Sequence, residues 1–203
     1  MEMKNIGGHT IDESLLTDGC IIDVGCRGFE FSKYFKLLND QRKIYCIDPD
    51  EDVFINKPDG MDMMNVAISD KAGVSTYYKN GEATMIRQFD PDPTYVHIDQ
   101  KYANSCKVIT MDDLYNITGE NVDVLKLDCE GAEYAILGET FRPIPRQMSV
   151  EFHHHCVPQL HMEKIEGILK RLGEYYEIYG LDWRKMHGCD FNYWDVLFIK
   201  KGL

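Results

Sequence analysis

The chain has 203 residues, 44% hydrophobic and 28% charged, the composition of a globular domain with a sizeable core. Lysine and arginine number 22 against 34 acidic residues, a net charge of −12, which argues against a chain whose main task is gripping a phosphate backbone. No run approaches the roughly 18 apolar residues of a membrane span, the first residues lack the apolar core of a signal peptide, and the seven cysteines form no Cys-x-x-Cys pair, so the expectation is free thiols in a reducing, cytoplasmic compartment.

Residues 1–203 are expected to form one domain, with 1–18 as an N-terminal helical extension. Residues 20–24 (CIIDV) form an apolar strand that runs into a glycine. Apolar residues at 31, 34, 35, 37 and 38 share one helical face. A second buried-type strand covers 43–48 (KIYCID), and a short helix follows over 50–56. Residues 64–68 read as a third strand, and the β-branched and aromatic run 74–78 (VSTYY) as an antiparallel addition. The segment 81–106 is the least regular and carries Asp90-Pro91-Asp92-Pro93. A short strand over 108–110 leads into a helix over 111–117.

Residues 122–128 (VDVLKLD) form the clearest strand, followed by Gly131 and a helical stretch over 132–137. A strand over 148–152, an amphipathic helix over 162–172 with Gly173 at its C-cap, and strands over 175–179 and 194–199 complete the series. Strand-helix alternation with near-continuous apolar strands implies a mostly parallel sheet covered on both faces. Such sheets bind ligands at the carboxyl ends of their strands.

The turn after the first strand reads Asp23-Val24-Gly25-Cys26-Arg27-Gly28. Two close glycines let the backbone turn tightly and approach a ligand, and the helix behind them offers free N–H groups to a carboxylate. Asp48 ends the second strand 20 residues beyond Gly28, a spacing at which an acid accepts hydrogen bonds from ribose hydroxyls. The third glycine of the dinucleotide fingerprint is out of register, and Asp23 suits an ammonium. A ribose, a carboxylate and an ammonium together describe S-adenosylmethionine. On these residues the methyl donor leads, with a dinucleotide and an ordinary tight turn behind it.

Several stretches together resemble the FkbM-type methyltransferases that use S-adenosylmethionine: DVGCRGFEFS at 23–32, YCIDPD at 45–50, NVAISDKAG at 65–73, TMDDL at 110–114, VDVLKLDCEGAEYAIL at 122–137 and SVEFH at 149–153. The resemblance implies an α/β, Rossmann-like class I methyltransferase fold, a mostly parallel seven-stranded sheet with helices on both faces. It implies that Asp48 holds the ribose, that Pro49 and Asp50 line the adenosine side, and that Ala67 and Ile68 flank the adenine. The glycine loop is one residue shorter than the family's usual pattern. Gly25 and Gly28 remain donor contacts, while Arg27 either reaches the donor carboxylate or pairs with Glu30.

Methyl transfer to a hydroxyl needs in-line alignment and a group that takes the proton. Asp128 and Glu130 follow the fourth strand, and Glu151 and His153 end the fifth. Lys126, Asp128 and Glu130 alternate and so point to one side of the strand, which makes Lys126 either a catalytic-site cation or a buried ion-pair partner. Glu133 belongs to the same segment, where an acid also suits a first helical turn. A metal-free site with Asp128 or His153 as base is the leading reading. A magnesium- or manganese-type ion held by Asp128, Glu151 and His153 is the lesser one. Structural zinc in His153-His154-His155-Cys156 is disfavoured, because alternate residues of an extended segment face opposite sides.

The resemblance suggests O-methylation of a small molecule or glycan, with a sugar as the leading acceptor, and no nucleic-acid or membrane partner. No Asn-Pro-Pro-aromatic tetrapeptide follows the fourth strand, where base-amino methyltransferases carry it; this chain has Asp128-Cys129-Glu130-Gly131. The competing readings are an NAD-binding oxidoreductase and a non-catalytic module that keeps the donor pocket.

Overall fold

A computed structural model describes residues 1–80, 83–86, 103–153, 162–185 and 192–203. The chain opens with β1 (Met3–Ile6) and β2 (His9–Asp12), an antiparallel hairpin in the place where the sequence suggested a helical extension. The turn gives the reason. Gly7 and Gly8 have φ of +56° and +94°, the pair of positive values that a tight two-residue hairpin turn requires and that glycine adopts without steric penalty. Ile11 is fully buried and His9 nearly so, so the hairpin presents an inner face to the core.

The next elements are β3 (Cys20–Val24), α1 (Glu30–Leu38), β4 (Ile44–Ile47), β5 (Asp62–Met64), β6 (Ala67–Ile68), β7 (Gly73–Asn80), β8 (Ala83–Ile86) and β9 (Ala103–Ile109). They are followed by α2 (Met111–Thr118), β10 (Val122–Leu127), α3 (Glu133–Ile136), β11 (Gln147–His153), α4 (Met162–Leu172), β12 (Tyr176–Lys185) and β13 (Asn192–Lys200).

Seven strands form the central sheet in the order β12-β13-β11-β10-β3-β4-β5. Strands β11, β10, β3, β4 and β5 pair in parallel, and β13 runs antiparallel to both of its neighbours. The sheet is thus mixed rather than wholly parallel. Its central strands β3 and β10 are buried on both faces, as their apolar runs require. Along β3, Ile22 and Val24 pack on the face covered by α2, α3 and α4, while Ile21 packs on the face covered by α1 and the hairpin.

The third predicted strand is divided. Residues 62–64 join the central sheet as β5, while Ala67–Ile68 pairs with β9 in a separate four-stranded sheet, β6-β9-β7-β8. Part of the segment expected to be irregular is therefore regular, at residues 83–86 and 103–109. Asp90 to Pro93 lie outside the described residues. The expected helix over 50–56 is a single 3₁₀ turn, Glu51–Phe54, capped by Asp50, whose side chain accepts from the Asp52 N–H at 3.1 Å. At α2 the Thr110 and Asp113 side chains form a reciprocal capping box.

Candidate functional site

The carboxyl ends of β11, β10, β3 and β4 lie side by side, and a cleft of about 80 Å³ opens at the ends of β3, β4 and β10. Gly25, Arg27, Asp48, Pro49, Ala67, Ile68, Asp128 and Glu130 line it, with Thr84 and Ile86 of β8 on the rim. A second cleft, on the hairpin side, is lined by Gly7, His9, Gly28, Glu30, Lys126 and Asp128. Asp128 and Arg27 border both.

Gly25 is fixed by two independent demands. Its φ is +78°, and a Cβ there would lie 1.8 Å from the Asp128 carbonyl oxygen. The turn after β3 thus rests directly on the end of β10. Gly28 has φ +79° but open space where a Cβ would be, so its requirement is conformational. The loop enters α1 through Phe29, itself left-handed at φ +59°, a strained setting for a bulky residue that its burial in the α1-side core holds in place.

Asp48 is 3% exposed and accepts the Asp50 N–H at 2.9 Å. Burial raises its pKa to about 6, against the pull of the Asp50 N–H and of Arg27. Asp50, expected on the adenosine side, follows Pro49 of the cleft wall. It is buried, pairs with Lys79 at 2.6 Å and accepts from Arg27 Nη2 at 2.9 Å. Burial opposes its ionisation, yet the bonds from Lys79, the Asp52 N–H and Arg27 hold its carboxyl below the ordinary value. Arg27 therefore pairs across the loop with Asp50, and reaches Thr84 at 3.2 Å, rather than pairing with Glu30. Ala67 and Ile68 are buried and form the apolar wall of the cleft.

Asp23 is fully buried beneath the loop. It accepts from Ser32 Oγ at 2.6 Å and pairs with Lys126 at 3.1 Å. Lys126 also donates to the Gly25 carbonyl at 2.6 Å and stands 3.5 Å from Asp128. Burial disfavours its charge, but Asp23 and Asp128 raise its pKa further, so it stays protonated. The ion-pair reading of Lys126 holds, and the pair shapes the glycine turn from below.

Around Asp128 the structure gathers five further groups, His9, His153, Glu130, Glu151 and Glu133. His9 Nε2 stands 3.4 Å from one carboxylate oxygen, and His153 Nε2 stands 3.6 Å from the other. His153 Nε2 is also 3.7 Å from Glu130 and 3.7 Å from Glu151, while its Nδ1 bonds Glu133 at 3.0 Å. Glu133 is fully buried and accepts the Cys129 and Gly131 N–H groups at 2.6 and 2.9 Å. It ties the loop after β10 to the end of β11. Glu130 occupies that loop with φ +51°, left-handed geometry that is uncommon for a residue bearing a Cβ.

Burial opposes charge on His153, but Glu133, Glu130 and Asp128 lift its pKa well above the usual imidazole value. His9 moves the other way: burial lowers its pKa and keeps it neutral, despite Asp128. Asp128 is opposed by burial yet held well below the usual carboxylate range by Lys126, His9 and His153. The expected catalytic set of Lys126, Asp128, Glu130, Glu151 and His153 is thus brought together. The ligand atoms of Asp128, Glu130 and His153, and those of His9, Asp128 and Glu151, lie within 4.8 Å of one another. His154, His155 and Cys156 lie outside the described residues. Two members went unread in the sequence: His9, whose signal was the Ile6-Gly7-Gly8-His9 turn, and Glu133 as the group that orients His153.

A sheet of this order, with a glycine turn after β3 and an acid ending the neighbouring β4, is the Rossmann-like sheet of class I methyltransferases. The particular family follows from the sequence. The chain belongs to the FkbM methyltransferases, whose domain model (Methyltransferase FkbM domain) matches residues 23–177. It is an enzyme family that takes its methyl group from S-adenosylmethionine. Among solved structures the chain is similar to a fibrillarin/Nop5p complex, at 10% identity over 90% of this chain and 73% of that one, TM-score 0.48. It is similar to P. horikoshii TYW2 in complex with MeSAdo, at 12% identity over 97% and 69%, TM-score 0.39. It is similar also to the plantazolicin methyltransferase BpumL in complex with SAH, at 12% identity over 90% and 76%, TM-score 0.45. No curated protein matches the chain at significant similarity. Among the described residues, no helix is long and apolar enough to cross a membrane.

Proposed function

We propose that the chain is an O-methyltransferase that moves the methyl group of S-adenosylmethionine to a hydroxyl of a small molecule or glycan, with a sugar as the acceptor. The observation that carries this reading is the continuity of the main cleft. Its one end has Asp48, Ala67 and Ile68, suited to a nucleoside; its other end has Asp128 and Glu130, suited to a hydroxyl.

In the reaction the acceptor oxygen attacks the methyl carbon in line with the C–S bond. The O–C bond forms as the C–S bond breaks, sulfur keeps the electron pair, and S-adenosylhomocysteine leaves. The hydroxyl proton passes to the carboxylates at the cleft end. Asp128, held by His9, Lys126 and His153, orients the hydroxyl, and positioning is where such a site gains most of its rate. Lys126 and Gly25 hold the donor turn against that same residue, so donor and acceptor positions are coupled through one strand end. The cluster of carboxylates also favours the positive sulfonium in the ground state and loses that attraction once the sulfur is neutral, which aids product release.

The test against an NAD-binding sheet is a thermal-shift measurement with S-adenosylhomocysteine and with NAD. Stabilisation by S-adenosylhomocysteine alone is expected. A shift with NAD and none with S-adenosylhomocysteine would overturn the reading.

A further inference from the structure

We infer that Asp128, Glu130 and His153 form a binding site for one divalent transition ion of the manganese type, with His9, Lys126 and Glu133 as the groups that hold those ligands in place. The spacing is the first reason. His153 Nε2 faces oxygens of Asp128, Glu130 and Glu151 at 3.6, 3.7 and 3.7 Å. Those separations are too long for hydrogen bonds. They are close to the edge lengths of a coordination shell: bonds of about 2.1 Å place neighbouring ligand atoms about 3.0 Å apart in an octahedron and about 3.4 Å in a tetrahedron. The ligand atoms of Asp128, Glu130 and His153 all lie within 4.8 Å of one another, so a local contraction brings these three onto one ion.

The second reason is how the ligands are held. A metal-binding histidine almost always gives its other ring nitrogen to a carboxylate or carbonyl, which fixes the ring. His153 Nδ1 bonds Glu133 at 3.0 Å, and Glu133 is anchored by two backbone N–H groups. A metal-binding carboxylate is likewise held through its other oxygen. Asp128 turns one oxygen to His153 and has the other beside His9 Nε2 and Lys126 Nζ, at 3.4 and 3.5 Å. His9 is itself oriented by Ser149, at 3.1 Å from its Nδ1. The imidazole is 3% exposed, while Asp128 and Glu130 remain 31% and 23% exposed. The cluster is therefore closed behind and open toward the cleft, leaving coordination positions for an incoming oxygen.

The donor set decides the ion. Two carboxylates with one imidazole suit a hard-to-borderline dication that accepts nitrogen, which favours Mn²⁺ over Mg²⁺ and over thiolate-seeking ions. The ion's role as a holder of the acceptor oxygen rests on the proposed function, but its binding does not.

The test uses the full chain, stripped with a chelator and titrated with Mn²⁺ alone, free Mn²⁺ being followed by electron paramagnetic resonance. One Mn²⁺ per chain is expected. Glu130→Gln and Glu133→Gln should each weaken binding by about 10- to 100-fold, while Asp70→Asn, remote from the site, leaves it unchanged. In the unsubstituted chain, bound Mn²⁺ should broaden the His153 ring-proton signals, a readout that needs no variant to fold. Absence of stoichiometric uptake, uptake unchanged in Glu130→Gln, or unbroadened His153 signals would each overturn the inference. Titrating the same stripped protein with S-adenosylhomocysteine separates the two claims. Nucleoside binding without Mn²⁺ uptake sinks the ion site alone; Mn²⁺ uptake without nucleoside binding keeps the ion site and counts against the methyltransferase reading.

Discussion

Replacing Gly25 with alanine tests whether the turn after β3 and the end of β10 act as one piece. The new Cβ would lie 1.8 Å from the Asp128 carbonyl oxygen, and real contacts of this kind are essentially never under 3.0 Å, so the strand end must retreat by about 1.2 Å. The φ of +78° adds strain of about 1–2 kcal/mol for any residue with a Cβ. Gly119, which caps α2 at φ +81° with open space around it, carries the strain without the collision. Urea unfolding should show a loss of about 1–3 kcal/mol in Gly119→Ala, whose φ of 81° and ψ of 173° suit glycine almost alone, and a larger loss, about 4 kcal/mol or more, in Gly25→Ala. Calorimetry with S-adenosylhomocysteine should give unchanged affinity in Gly119→Ala and roughly a tenfold loss in Gly25→Ala, because the donor turn and Asp128 shift together. Equal stability losses, with donor-product affinity intact in Gly25→Ala, would refute the reasoning.

Asp48→Asn should raise stability at neutral pH while weakening the donor. Asp48 titrates near 3.8 in the unfolded chain and at about 6 when folded, so the native state holds the extra proton between those values. The resulting stability falls as pH rises from about 4 to 6, by up to about 3 kcal/mol, in a setting shaped by Asp50, Arg27 and Lys126. The asparagine variant should lack that fall and bind S-adenosylhomocysteine about tenfold less tightly, having lost a charge-assisted bond; a pH profile matching the parent would count against it. Lys126→Met leaves Asp23 as an unpaired charge at zero exposure, and should cost about 3–5 kcal/mol in denaturant unfolding; a loss below about 1 kcal/mol contradicts the pairing. Asp128→Asn should lower turnover by about 100-fold or more while donor-product affinity stays within a few-fold; unchanged turnover removes Asp128 from the reacting groups.

The central strands are legible in the sequence because burial on both faces demands apolar runs, and a run such as residues 122–127 has no other soluble use. The hairpin is not, because β1 is three-quarters exposed and only Ile6 of its four residues is buried. Its one signal is the Gly7-Gly8 pair. His9 enters the site through a contact with Ser149, 140 residues away in sequence, and no local pattern carries a contact of that range. Asp50 has partners that the sequence does not show, for a different reason. An acid following a strand end serves equally to hold a ligand or to cap the next turn and pair with cations, and only the positions of Lys79 and Arg27 decide between them. The alternation of Lys126, Asp128 and Glu130 stops short in the structure, because β10 ends at Leu127 and Glu130 sits in the following loop at φ +51°. That Lys126 faces the glycine turn depends on the β3–β10 register.

The central claim is that a methyl group passes from S-adenosylmethionine to a saccharide hydroxyl beside Asp128. Incubating the chain with methyl-labelled donor and a panel of mono- and disaccharides, then separating the products, tests it directly. The account predicts label on a saccharide as an alkali-stable methyl ether, lost in Asp128→Asn. Label confined to an amine, a nucleic acid or a protein, with none on any saccharide, would contradict it.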